Sequence, residues 1–144
     1  MKSLFLLLTP FLVSCTSNSI GEMNAEEFAA TVQNYQSMYI EGRVDNCDMI
    51  LAMVDENIAF TENGETWTKS DMIQYCPHLP EKNVFETISN QKLFTSEFAY
   101  DFVNQLYLNQ DKDTMSETTS RVWKKTGDGW KITKMDIVRY QIAE

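Results

Sequence analysis

Asp136, two residues after Lys134, is the carboxylate best placed in this sequence for acid–base chemistry. On a period-2 strand it shares a face with Trp130, Ile132, Lys134 and Val138, while Met135 and Ile137 point the other way. If the Trp130 face lines a cavity, Asp136 enters it beside Lys134, where burial would shift its pKa and make it a candidate acid or base. In the other register Met135 and Ile137 point inward, and Lys134 and Asp136 form an exposed charged pair. The sequence leaves both registers open. The single histidine, His78, sits in the stiff run Cys76-Pro77-His78-Leu79-Pro80 and reads as solvent-facing or structurally bonded.

A second constellation is aromatic. Tyr35, Tyr39, Phe60, Trp67, Tyr100, Tyr107, Trp123 and Trp130 are spread through most of the chain. Most of them serve to build the core, but those with polar tips suit a pocket for a flat or apolar ligand. The candidate ligand contacts are Tyr39, Thr61, Trp67, Tyr100, Trp123, Lys134 and Asp136. Trp67, just after a tight turn, is the one expected at a pocket mouth. There is no nucleophile elbow, phosphate-binding Gly loop, Cys-x-x-Cys or metal-ligand spacing. Neither a metal nor a cofactor is expected.

Cys15 raises different chemistry. Lys2, an apolar run from Leu4 to Val13 and the small-residue end Ser14-Cys15 follow the signal-peptide layout. The run is about half the roughly twenty residues a membrane span needs. Pro10 would cost a buried helix roughly 3 kcal/mol. Leu12-Val13-Ser14-Cys15 resembles the bacterial lipobox, which implies cleavage after residue 14 and lipidation of Cys15. Residues 15–23 then form a lipidated, flexible tether ahead of a domain at 24–144. The tether carries no acidic run like that of surface-exported lipoproteins. The expected location is therefore the bacterial cell envelope, in the outer membrane facing the periplasm. In an exported chain Cys47 and Cys76 either form a disulfide or remain buried thiols.

Removing the label leaves about 130 residues, the size of one domain. The formal charge of −9 becomes −10 on loss of Lys2. So acidic a chain is a poor nucleic-acid binder, because phosphate contacts need a basic footprint.

The elements that must position these residues are legible by pattern. Asn24 and Glu27 make a cap-like pair ahead of a helix carrying Phe28, Val32, Tyr35 and Tyr39, which stops at Gly42. Asp45 caps a short helix with Met49, Ile50 and Met53. A strand at Ile58–Thr61 turns at Asn63-Gly64 toward Trp67. Thr68 and Asp71 box a third helix, ended by Pro77 and Pro80. Four long strands follow, at Val84–Leu93, Phe98–Leu108, Met115–Lys125 and Trp130–Gln141, joined by turn-rich segments. This is an α+β plan, with three N-terminal helices packed on a curved antiparallel sheet.

The segment RVDNCDMILAMVDENIAFTENGETWTKSDMI, residues 43–73, resembles the opening of the NTF2-like superfamily. The closing RVWKKTGDGWKITKMD, residues 121–136, resembles the end of its SnoaL-like and DUF4440-type branches. The resemblance spans roughly residues 24–142. It implies a cone-shaped barrel with a pocket between helices and sheet, often dimeric through the outer sheet face, but it implies no single function. Apolar residues on both faces of the last strand suit such a homodimer. Aligned on Asp45 and Gly64, the base position of the ketosteroid isomerase branch falls on Thr61, which cannot act as a base, and its helix-one tyrosine position falls on Ser37. The leading expectation is therefore a membrane-tethered, non-catalytic domain that binds a small apolar molecule or a protein partner. The alternatives are a SnoaL-like isomerase or lyase using Asp136, and a structural lipoprotein acting through its dimer surface.

Overall fold

The computed structural model describes residues 20–143; Cys15, the expected signal peptide and most of the expected tether lie outside them. The first helix, α1 (Ile20–Glu41), buries Phe28, Val32, Tyr35, Met38 and Tyr39 along one stripe. It begins before Asn24, which therefore lies inside the helix and does not cap it. Nothing in the segment before Asn24 forbids helix, so backbone bonding continues through the polar pair. Gly42 ends α1 with φ +58°, and a Cβ there would meet the Pro80 carbonyl carbon at 2.5 Å. Conformation and close approach both require glycine at this point.

A 3-10 turn (Val44–Asn46) leads into α2 (Cys47–Ala52). Asp45 falls within that turn, where it pairs with Arg43 at 3.3 Å and does not cap α2. Strands β1 (Val54–Glu62) and β2 (Glu65–Trp67) flank Asn63 and Gly64, both at positive φ as a tight hairpin turn demands. Helix α3 (Lys69–Tyr75) starts with a complete Thr68–Asp71 capping box, and a 3-10 turn (Cys76–His78) follows it. Then come β3 (Asn83–Phe94), β4 (Phe98–Leu108), β5 (Thr114–Thr126) and β6 (Gly129–Gln141).

The strands form one curved, unclosed sheet in the order β2-β1-β6-β5-β4-β3. It is mixed, not antiparallel, because β1 runs parallel to β6. A crossover through α3 and the whole β3–β5 meander separates those two strands in sequence, so no turn signal marks their pairing. The three helices lie over the inner face, with α3 inserted between β2 and β3. Trp123 and Ile132 are fully buried there, and Trp123 meets the rings of Phe28 and Tyr35 edge-on at 5.9 and 5.7 Å.

Two irregularities decide which side chains face where. In β6 the register jumps between Trp123↔Ile132 and Val122↔Lys134, leaving Thr133 as an extra residue. This bulge switches the alternation. Trp130 and Ile132 point inward before it, and Met135, Ile137 and Arg139 point inward after it. In edge strand β3, register shifts leave Phe85 and Ile88 unpaired and more than half exposed.

Candidate functional site

The inner face of β4 and β5 carries charge where a small domain usually carries only apolar side chains. Asp101 and Gln105 on β4 stand opposite Arg121 and Glu117 on β5, all nearly without solvent exposure. Two linked clusters result. In the first, Arg121 donates from Nε to both Asp101 oxygens at 3.1 Å and from Nη2 to Oδ2 at 2.6 Å. The same Nη2 donates to Gln36 of α1 at 3.0 Å, and the Trp123 indole N–H also donates to Asp101.

The second cluster centres on Glu117. Its carboxylate accepts from Lys82 Nζ at 2.7 Å, Arg139 Nε at 2.8 Å and Gln105 Nε2 at 3.2 Å. Arg139 also donates to Glu62 at 2.6 Å and to the Tyr39 hydroxyl at 3.0 Å. Lys82 lies 3.7 Å from the centre of the Tyr39 ring, a cation–π contact. Burial pulls the Lys82 ammonium down to about 8, opposed by the Glu117 charge. Burial and the neighbouring Glu117 both push the Tyr39 hydroxyl well above its ordinary value. Burial alone would raise Glu117, but Lys82 and Arg139 outweigh it and hold the carboxyl below the ordinary glutamate range.

These shifts set the acid stability of the fold. Glu117 stabilises fully above its unfolded value near 4.5, and this contribution disappears as pH falls through its lower folded value. Lys82 has the same sign in a different window. Between about 8 and 10.5 the unfolded chain holds more protons, so its contribution to stability rises with pH. Urea-unfolding midpoints should therefore fall below pH 4.5 and fall less steeply in Glu117→Gln. Equal slopes for the two proteins would contradict this assignment.

Beside the second cluster is a cavity of about 40 Å³. Its wall is apolar (Phe60, Trp67, Met72 and Ile137 among others), with Tyr39, Glu62 and Arg139 at its polar end. Trp67 lies between Phe60, tilted at 5.8 Å, and Tyr75, edge-on at 5.4 Å. The cavity volume suits about three waters rather than an organic ligand.

Of the expected contacts, Tyr39 and Trp67 line this cavity. Trp123 is packed into the core beside it and does not line it. Thr61, Tyr100, Lys134 and Asp136 lie on the outer face of the sheet, as their alternation with buried Phe60, Asp101 and Met135 requires. The Thr133 bulge puts Asp136 there, where it accepts from Thr61 at 2.7 Å and pairs with Lys134 at 3.3 Å. An acid–base role for Asp136 inside the cavity is thereby corrected. His78 is exposed and absent from the cavity wall. Cys47 and Cys76 are joined as a disulfide, tying α2 to the end of α3. Sequence reasoning missed Lys82, Asp101, Glu117, Arg121 and Arg139. The available signal was the alternation of Glu117, Thr119 and Arg121 in phase with Trp123.

No family model and no curated protein matches this chain. Solved structures do. An NTF2-like protein of unknown function in nutrient uptake from Rhodospirillum rubrum is 14% identical, with a TM-score of 0.58 over 85% of this chain and 98% of its own. The fold is NTF2-like. The same NTF2-like fold relates the chain to the association domain of C. elegans CaMKII, at 13% identity and TM-score 0.64 over 83% of this chain and 98% of that one. It is also similar to LinA, a type 2 hexachlorocyclohexane dehydrochlorinase, at 9% identity and TM-score 0.59 over 85% and 93%. An association domain and an enzyme thus share the NTF2-like frame, and the side chains must decide what this one does.

Proposed function

We propose that this chain is a non-catalytic assembly domain that self-associates through the outer face of β4, β5 and β6. It is held by lipid on Cys15 at the periplasmic side of a bacterial outer membrane. The observation that carries the proposal is a pair of uncovered apolar side chains on this face: Val138 and Tyr140 are 53% and 57% exposed, in register across Thr118 and Ser116 of β5 with Asn104 and Leu106 of β4. A patch of this kind on a small domain marks an interaction surface. A second copy is its natural occupant, because an isologous sheet-on-sheet contact buries the same face on both partners. Edge-to-edge pairing is disfavoured, since the Phe85 and Ile88 bulges interrupt β3. The likeness to an association domain supports the same reading.

Catalysis is disfavoured because Glu62, Glu117 and Arg139 are committed to one another and the cavity is water-sized. One observation favours a second reading, small-ligand binding: the cavity is apolar with Tyr39, Glu62 and Arg139 at one end. It requires Trp67 to swing out. Sedimentation of a form beginning at Thr16 should give a dimer. Val138→Asp with Tyr140→Asp should give a monomer of unchanged circular dichroism, because each buried carboxylate would lack a partner. A dimer that survives both substitutions would exclude this face.

A further inference from the structure

We infer that the β3–β4 hairpin is the membrane-facing end of the domain, with Leu93, Phe94 and Phe98 entering the lipid surface that holds the tether. This rests on the reading of Cys15 as lipid-bearing and adds an orientation to it. Leu93 is 68% exposed, Phe94 44% and Phe98 47%, all at one hairpin. They border a shallow apolar groove of about 250 Å³ that includes Ala99 and Val122.

The N-terminal part of α1 lies at this same end. Lys125, near the end of β5, pairs with Glu27, and its backbone N–H donates to Glu97 in the hairpin turn at 2.8 Å. The C-terminal end of α1 lies at the opposite end, where the Lys82 N–H donates to Ile40 at 2.9 Å just before β3 begins. Ile20 therefore stands about 10 Å along the helix from Glu27. Cys15 is five residues farther, a reach of at most about 18 Å. So short a connection keeps the anchored end of the domain at the bilayer, and the exposed hairpin is at that end. Lys92 and Lys124 flank the three apolar side chains, with Glu97 the acid in the turn. That mixture of apolar tips and lysines suits a phospholipid headgroup layer. The proposed self-association patch is separate, because Leu106 lies about 26 Å along β4 from Phe98.

The test uses the full-length lipidated chain with Phe94→Cys or, at the opposite end, Asp111→Cys. With Cys47 and Cys76 disulfide-bonded, the introduced thiol takes an environment-sensitive dye. In vesicles of phosphatidylethanolamine and phosphatidylglycerol, the dye at 94 should shift to the blue and lose iodide quenching. The dye at 111 should do neither. Equal quenching at both positions on membrane-bound protein overturns the orientation and leaves the tether standing. Shielding at 94 in the form beginning at Thr16, without lipid, identifies a protein contact and overturns it as well. A membrane fraction unchanged by Cys15→Ala overturns the tether, and this inference with it.

Discussion

Asp101→Ala is expected to lower folding stability by about 3–5 kcal/mol, since it removes one partner of a buried ion pair. Arg121 and Asp101 have no side-chain solvent exposure, so the stranded guanidinium cannot recover hydration. The Trp123 indole N–H would lose its acceptor in the same step. Asp101→Asn should cost less, because the amide oxygen still accepts from Arg121. The joint replacement Asp101→Leu with Arg121→Met should recover part of the loss, since well-packed apolar side chains often substitute for a buried pair, while the Trp123 N–H still lacks its acceptor. Denaturant unfolding of the four proteins checks the order. A single Asp101→Ala loss below about 1 kcal/mol would place the pair in solvent.

Removing the disulfide through Cys47→Ala with Cys76→Ala should cost about 3–4 kcal/mol, from the loop entropy of cysteines 29 residues apart. The bond joins the two short helical segments that form the cavity wall opposite the sheet, including Ile50, Met72 and Tyr75. Neither segment exceeds seven residues, so neither is stable as an isolated helix. Hydrogen exchange should accelerate in α2 and α3 and change little in β4, β5 and β6. A melting temperature unaffected by reduction would show that packing alone holds these helices. The bond also suits the oxidising compartment expected from the N-terminal label.

The backbone plan was largely legible in the sequence, because its signals are local. Asn63-Gly64 dictates a hairpin, Thr68 with Asp71 dictates a helix start, and the four long strands are rich in β-branched and aromatic residues. Three features were not legible, and each depends on a remote partner. The parallel β1–β6 pairing has no turn to announce it. The Thr133 bulge is one extra residue, set by how β6 fits β5, yet it moves Asp136 from the inner to the outer face. The buried network needs Lys82, Glu117 and Arg139, from three different strands or their approaches, to meet on one face. Charged residues in a strand read as outward-facing until their neighbours are known. Asp45 and Asn24 show the converse limit, where a good cap residue is overridden by the turn or helix around it.

On the proposed function, the outer sheet face joins two copies of this chain. The most direct measurement is sedimentation velocity of the form beginning at Thr16 over a wide concentration range, beside the variant carrying Val138→Asp and Tyr140→Asp. The expected result is a dimer that dissociates on dilution and a variant that is monomeric throughout, with the same melting transition at low concentration. A wild-type chain that stays monomeric at the highest concentration would contradict it.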